Sequence, residues 1–350
     1  MRKLIILFAF FSLILCVSGG KLSESEDRKR AEKCGRVGKD AISTSSGDYT
    51  PPWAVRIYLK TSKDKPEGYR SSATLISPRH VLAAGAEALK AVNTSSLWEW
   101  VDGKQLDVKK ECKDDVIPFP KKLLKNYNIL LSTCKDPDVC GTDIRRKVVS
   151  GWYIGNCDLS LGVFGFLLLE ISSNVPKDTD NFRSVCMPGK ILKGFEENSQ
   201  GMYPECLAAP DKKQAAVGSQ GFFHSSGEPS LDSKMDGMIK WTTSQIRKCD
   251  DWRRLNSMTC ATHNSCGGDY GGALVQKVDG KDTVIGISTV NDWDCKKKTE
   301  NDMSVSMAYY KDKVCELAGV CQTAVTTSSA KLAMGFESFL LVFVMLVLVL

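Results

Sequence analysis

The stretch CGGDYGGAL, Cys266 to Leu274, decides how the rest of the chain is read. Glycine pairs flank an aspartate in a tight loop, and the loop runs straight into an apolar strand, GALVQKV (Gly272–Val278). A loop of this shape presents one side chain for nucleophilic chemistry. The residue at that place is Tyr270.

Outward from this loop the pattern is that of short strands. WAVRIYL (Trp53–Leu59) alternates apolar and polar residues and is rich in β-formers. SSATLISPRHVLAA (Ser71–Ala84) reads as two strands around a Ser-Pro turn. GFLLLEI (Gly165–Ile171), QAAVGSQGFF (Gln214–Phe223) and TVIGIST (Thr283–Thr289) are further strands, punctuated by Gly, Pro, Asn and Asp. Many short strands with few helical periods predict an all-β sandwich or barrel. The exception is MAYYKDKVCELAG (Met307–Gly319), where Met307, Tyr310, Val314, Leu317 and Ala318 fall on one helical face and Gly319 is a stop. KLSESEDRKRAEKCG (Lys21–Gly35) is polar throughout and reads as an extended leader. Asn93–Cys157, Lys-rich and cysteine-bearing, reads as long surface loops.

Both ends of the 350-residue chain carry targeting signals. Arg2 and Lys3, the apolar run Leu4–Val17 and the small residues Ser18–Gly20 make a secretory signal over 1–20. An uncleaved N-terminal anchor is the other reading of that segment. At the far end, TTSSA (Thr326–Ala330), a spacer and the apolar tail Phe339–Leu350 are the three parts of a GPI-attachment signal, with Ser328 or Ser329 as the attachment point. The tail rises about 18 Å as a helix against a hydrocarbon core of about 30 Å. A tail span requires it to recruit Leu332–Phe336 and bury Glu337. Roughly 305 residues remain between the signals, ample for a hydrophobic core.

Net charge is +6 with both signs scattered, and no basic stripe suggests nucleic acid. Of 14 cysteines one, Cys16, lies in the signal, and the rest imply disulfides in an oxidising compartment. Their odd number leaves one free or paired between chains. No metal is expected, because there is no C-x-x-C pair and only three histidines, His80, His224 and His263. Asn93 heads the acceptor NTS for glycosylation.

SATLISPRHVLAAGA, followed far downstream by CGGDYGGALV, resembles the trypsin/chymotrypsin-like serine proteases, and more closely the divergent trypsin-like proteins expanded in nematodes. The resemblance covers about Cys34 to Cys321. PPWAV (Pro51–Val55), SVCMP (Ser184–Pro188) and CDDWRRLNSMTC (Cys249–Cys260) add to it. It implies two six-stranded antiparallel β-barrels with a C-terminal helix and any active site between the barrels. A domain over 51–322 divides into barrels at about 51–188 and 195–322. A leader and domain entry over 21–50 precede it, a small-residue stalk over 323–330 follows, and the C-terminal signal or tail is 331–350.

The family chemistry needs a serine, a histidine that takes its proton and an aspartate that orients the histidine. The resemblance puts Ala86 at the histidine, Gly165 at the aspartate and Tyr270 at the serine. His80 lies six residues upstream on the far side of a strand. Asp158 stands seven residues before Gly165, and using it would break the strand register. Ser71 and Glu87 occupy the positions of the disulfide that brackets the histidine loop. A phenol with a pKa near 10 needs a base or a cation to attack at neutral pH, and the base position is an alanine. Tyr270 is therefore expected to plug or pack the cleft. The vestigial pocket comprises Asn264, Asp269, which stands before the nucleophile position, and Asn291.

The resemblance implies disulfides Cys34–Cys186, Cys249–Cys260 and Cys266–Cys295, and leaves Cys112, Cys134, Cys140, Cys157, Cys206, Cys315 and Cys321 unassigned, with Cys206 a candidate odd thiol. The sequence thus predicts a non-catalytic protease homologue, needing no cofactor. It is expected outside the cell or on its surface, binding a protein ligand of unknown identity. The membrane link is a C-terminal lipid anchor or tail. An active endopeptidase with an unconventional centre and a structural disulfide-rich surface domain are the alternatives.

Overall fold

A computed structural model of the chain describes residues 20–36, 51–59, 69–91, 98–131, 145–158, 161, 164–175, 182–188, 220–225, 240–247, 249, 257–262, 269–289 and 302–322. The elements of the first half are α1 (Glu24–Lys33), β1 (Ala54–Leu59), β2 (Tyr69–Ser77), β3 (His80–Ala84) and a one-turn 3₁₀ segment, Gly85–Glu87. Then come β4 (Leu89–Ala91), β5 (Trp98–Trp100), β6 (Gln105–Leu106), α2 (Val108–Glu111), β7 (Val116–Pro118), α3 (Lys121–Leu124), β8 (Tyr127–Leu130), β9 (Arg145–Gly155) and β10 (Gly165–Ile171). The second half holds β11 (Gln220–Ser225), β12 (Lys240–Arg247), β13 (Met258–Ala261), β14 (Ala273–Val278), β15 (Lys281–Ser288), β16 (Asp302–Ser306) and α4 (Met307–Ala318).

Two antiparallel barrels result. In the first, β10, β3, β2, β1, β8 and β9 pair in that order, and β9 returns to β10, so six strands close. Strand β7 pairs with the C-terminal part of β9, beyond the point where β8 ends. In the second, the ring is β11-β12-β13-β16-β15-β14. Closure removes free strand edges, which is how a chain of short strands avoids exposing unpaired backbone. The segment 182–188 bridges the barrels: Cys186 pairs with Thr283 of β15, and Val185 donates to the Leu75 carbonyl of β2. The buried apolar cluster is continuous from Trp53, Leu82 and Leu168 of the first barrel to Val284, Val305 and Val314 of the second half.

The strand from Gly165 to Ile171, the two strands around Pro78 and the terminal helix stand where the sequence places them. Helix α4 stops at Gly319, whose left-handed φ of 70° suits a glycine C-cap. Two expectations are corrected. The leader is not extended: residues 24–33 form α1, opened by a capping box in which Ser23 accepts from the Glu26 amide and Glu26 accepts from the Ser23 amide. Its inward face is Asp27, Arg30 and Ala31, so no apolar period marks it in the sequence. Asp27 accepts from Arg30 Nε at 2.7 Å and from the Cys321 and Gln322 amides at 2.9 and 2.6 Å. Lys281 donates from barrel two to the Ala31 carbonyl at the end of α1, at 3.0 Å.

The stretch 93–157 is likewise more than loops, because it supplies β5 to β9 and part of the first core. Its apolar residues come in short clusters separated by polar runs, and they meet in space. Trp100 meets Phe119 at a 60° tilt with ring centroids 5.1 Å apart, and Phe119 meets Tyr127 edge-on at 5.3 Å. The strand predicted over Gln214–Phe223 begins at Gln220 in the described residues.

Candidate functional site

The loop Asp269–Gly272 of the second barrel is seated on the first. Gly271 has φ of 80°, and a Cβ there would strike the Ser72 carbonyl of β2 and lie 3.1 Å from the Ala84 amide of β3. Only glycine permits both the conformation and the approach. The seat is held by Thr74, whose hydroxyl donates to the Gly271 carbonyl at 3.2 Å, and by the Gly271 amide, which donates to Ser288 at 2.8 Å. Asp269 is buried, and its carbonyl accepts from the Gly272 amide at 3.0 Å. Tyr270, between them, is half-buried rather than enclosed.

Across from this loop, Ala86 sits exposed in the 3₁₀ turn that follows β3. Its neighbour Glu87 is turned inward and buried. Burial pushes the Glu87 carboxyl up to about 8, with the Ser71 hydroxyl opposing that shift. Ser71 of β2 is buried beside it. Tyr127 donates its hydroxyl to the Glu87 carbonyl at 2.7 Å and fixes the turn. The Tyr270 phenol is raised above its ordinary value, first by burial and then by the Glu87 carboxylate. It stays protonated at neutral pH.

The space beside Gly165 is filled from another strand. Gly165 opens β10 opposite Gly155 of β9. A Cβ on Gly165 would collide with the hydroxyl and ring of Tyr153. A Cβ on Gly85 would meet the Gly165 carbonyl at 2.8 Å and the Tyr153 ring at 3.0 Å. Tyr153 is fully buried, and its ring occupies the space into which a side chain at position 165 would project. Burial raises the Tyr153 phenol well above its usual range, and its hydroxyl has no hydrogen-bond partner among the described residues. Nothing in the local sequence pattern marks this residue's place. Only the ring of glycines, Gly85, Gly155 and Gly165, hints that something large sits among them.

The structure therefore brings Ala86, Gly165 and Tyr270 to one cleft end of the β3–β10 pair, through Gly85 against Gly165 and Gly271 against Ala84. His80 is at the other end of β3, roughly 13 Å from Ala84 by strand rise. It is buried, its Nδ1 lies 2.7 Å from Ser77 Oγ, and burial pushes it down to about 3, so it is neutral. Asp158 precedes β10 and lies outside the β9–β10 pairing.

Cys34 is bonded to Cys186 and Cys249 to Cys260. Two further bonds, Cys112–Cys157 and Cys315–Cys321, join cysteines that the sequence left open. Each closure contributes typically about 2–4 kcal/mol. Asn264, Asn291, Cys266–Cys295, Asn93, Cys206, Ser328 and Ser329 lie outside the described residues, as do the signal and tail. Among the described residues no cluster of ligating side chains could hold a metal, and no helix is long and apolar enough to cross a membrane.

A family model described as the nematode trypsin-6-like family matches residues 3–321. No curated protein matches the chain.

Proposed function

The chain belongs to the nematode trypsin-6-like family, and on that premise we propose that it is a non-catalytic member whose work is binding. The observation that carries this reading is Tyr153, whose ring fills the space beside Gly165. A triad needs a carboxylate there, an imidazole at position 86 and a hydroxyl at position 270. Ala86 offers no base, and Tyr270 keeps its proton at neutral pH. Three losses on three separate segments leave no route for proton transfer, whereas one loss would be compatible with a modified mechanism.

The ligand is a protein held at the cleft, where Ala86 is exposed and Tyr270 half-exposed. The chain is exported by its N-terminal signal, glycosylated at Asn93 and held at the cell surface by a lipid anchor at Ser328 or Ser329. The described disulfides fit that oxidising location. Purified ectodomain is expected to leave a fluorophosphonate probe unreacted and a peptide library uncut. Turnover that disappears on Tyr270→Phe would overturn the reading and make the phenol a nucleophile. Release of the protein from expressing cells by a phosphatidylinositol-specific phospholipase checks the anchor; retention with Phe339–Leu350 intact would make it a tail span.

A further inference from the structure

The end of the β3–β10 ladder away from the cleft holds charges that the binding reading leaves unused. Glu170 stands opposite His80 in register and is 4% exposed. Its Oε1 is buried with no hydrogen-bond partner among the described residues. The carboxyl does receive the backbone N–H of Gly20. The Gly20 carbonyl in turn accepts from Arg79 Nε at 2.8 Å. Arg79 also reaches Glu26 of α1 at 3.2 Å and Asn174 at 3.5 Å. Gly20 is thus held through both its amide and its carbonyl, whereas the next residue, Lys21, is exposed.

The local charge is unbalanced. Glu170 and Glu26 face one guanidinium, Arg79, while His80 is neutral and Arg30 is committed to Asp27. A buried carboxylate with one amide donor lacks a counter-charge of its own. Burial accordingly raises the Glu170 carboxyl, with Arg79 and the Gly20 amide opposing. Ser18-Gly19-Gly20 offers small residues for signal cleavage on either side of Gly20, and the sequence does not choose between them. The contacts do, because a cut after Gly20 would discard the residue that is bound.

We propose that the signal is cut between Gly19 and Gly20, and that the freed α-ammonium of Gly20 forms a buried ion pair with Glu170. Water adds across the peptide bond. Its oxygen goes to the Gly19 carbonyl carbon, which departs as a carboxylate, and the Gly20 nitrogen takes up both protons. One amide donor becomes three donors on a cation, beside an oxygen that lacked a partner. The pair fastens the start of α1 across the turn between β2 and β3. This inference rests on the export signal being real.

The full chain secreted from eukaryotic cells tests it by N-terminal sequencing and intact mass. A first residue of Gly20 is expected. A start at Lys21 or later overturns the inference and leaves the export reading standing; a start at Met1 overturns both. Limited acetylation with mass mapping tests the ion pair. The α-amine of the folded wild type is expected to titrate about one unit above the 7.7–8.0 of a free terminus, and so to react about tenfold more slowly at neutral pH. Exposed Lys21 is the internal control. Glu170→Gln is expected to restore the faster rate. An unshifted wild-type titration overturns the pair even if that variant fails to fold.

Discussion

The two ends of the β3–β10 ladder are chemically opposite. At the cleft end, Ala84 pairs with Phe166, and the groups around them are Gly85, Ala86, Gly165 and the buried ring of Tyr153. At the other end, Glu170 pairs with His80 beside Arg79, Glu26 and the entry to α1. One end of the same two strands holds glycine, alanine and an aromatic. The other buries charge: Arg79 donates to the Gly20 carbonyl, while Glu170 Oε1 has no hydrogen-bond partner among the described residues. The lesson is that the ionic contacts at the leader end fasten chain segments together, whereas the cleft end is shaped by close packing around glycines.

The sharpest way to break that comparison is to put charge back at the cleft end. Gly165→Asp drives a Cβ into Tyr153 and buries an unpaired carboxylate. Overpacking and an uncompensated charge together are expected to cost roughly 4–8 kcal/mol, read as lost secretion or an early thermal melt. Adding Tyr153→Ser should recover much of it. If Gly165→Asp alone melts like wild type, Tyr153 does not fill that space.

Removing charge from the leader end is the converse. Asp27→Ala deletes the partner of buried Arg30 and the acceptor for the Cys321 and Gln322 amides. The expected loss is about 3–5 kcal/mol in a urea melt. An unchanged midpoint would mean that α1 is an appendage, and the contrast between the two ends would fall with it.

Next in size is a pH effect that reports both ends separately. Glu87 has its folded pKa raised to about 8, so its stabilising neutral form is fully present below about pH 4.5 and is lost as pH rises through 8. His80 has its folded pKa depressed to about 3, so its contribution is present above about pH 6.5 and is lost as pH falls toward 3. The window from pH 6.5 to 8 therefore isolates Glu87 from His80, and stability should fall there by about 2 kcal/mol. Glu87→Gln should flatten that slope. A slope that survives the substitution assigns the proton to another group.

The smallest expected effect is at Tyr270. Because the ring is half-buried, Tyr270→Ser should cost about 1 kcal/mol, less than the 1.5–3 of a fully buried aromatic. It should restore no reaction with a fluorophosphonate probe, since Ala86 supplies no base. No change in melting would make the ring a ligand contact alone.

Strand signals were legible because β1, β2, β3, β10, β14 and β15 carry enough β-formers and flanking turn residues to be seen one at a time. Helix α1 was not, since a helix whose inward face is Asp27 and Arg30 has no hydrophobic period. The aromatic group of Trp100, Phe119 and Tyr127 was missed because the three residues lie on separate short segments split by polar, Lys-rich runs. The pairing Cys112–Cys157 was open because spacing does not fix connectivity.

By itself the sequence determined the strand-rich class, the terminal helix and the identities Ala86, Gly165 and Tyr270. Those follow from local periodicity and from which atoms each residue type carries. Tertiary structure alone decided that Tyr153 stands in the place left by Gly165, that Glu87 turns inward beside Ser71, and that Gly20 meets Glu170. Each joins residues distant in the chain, and burial and excluded volume between such residues exist only once the barrels have closed.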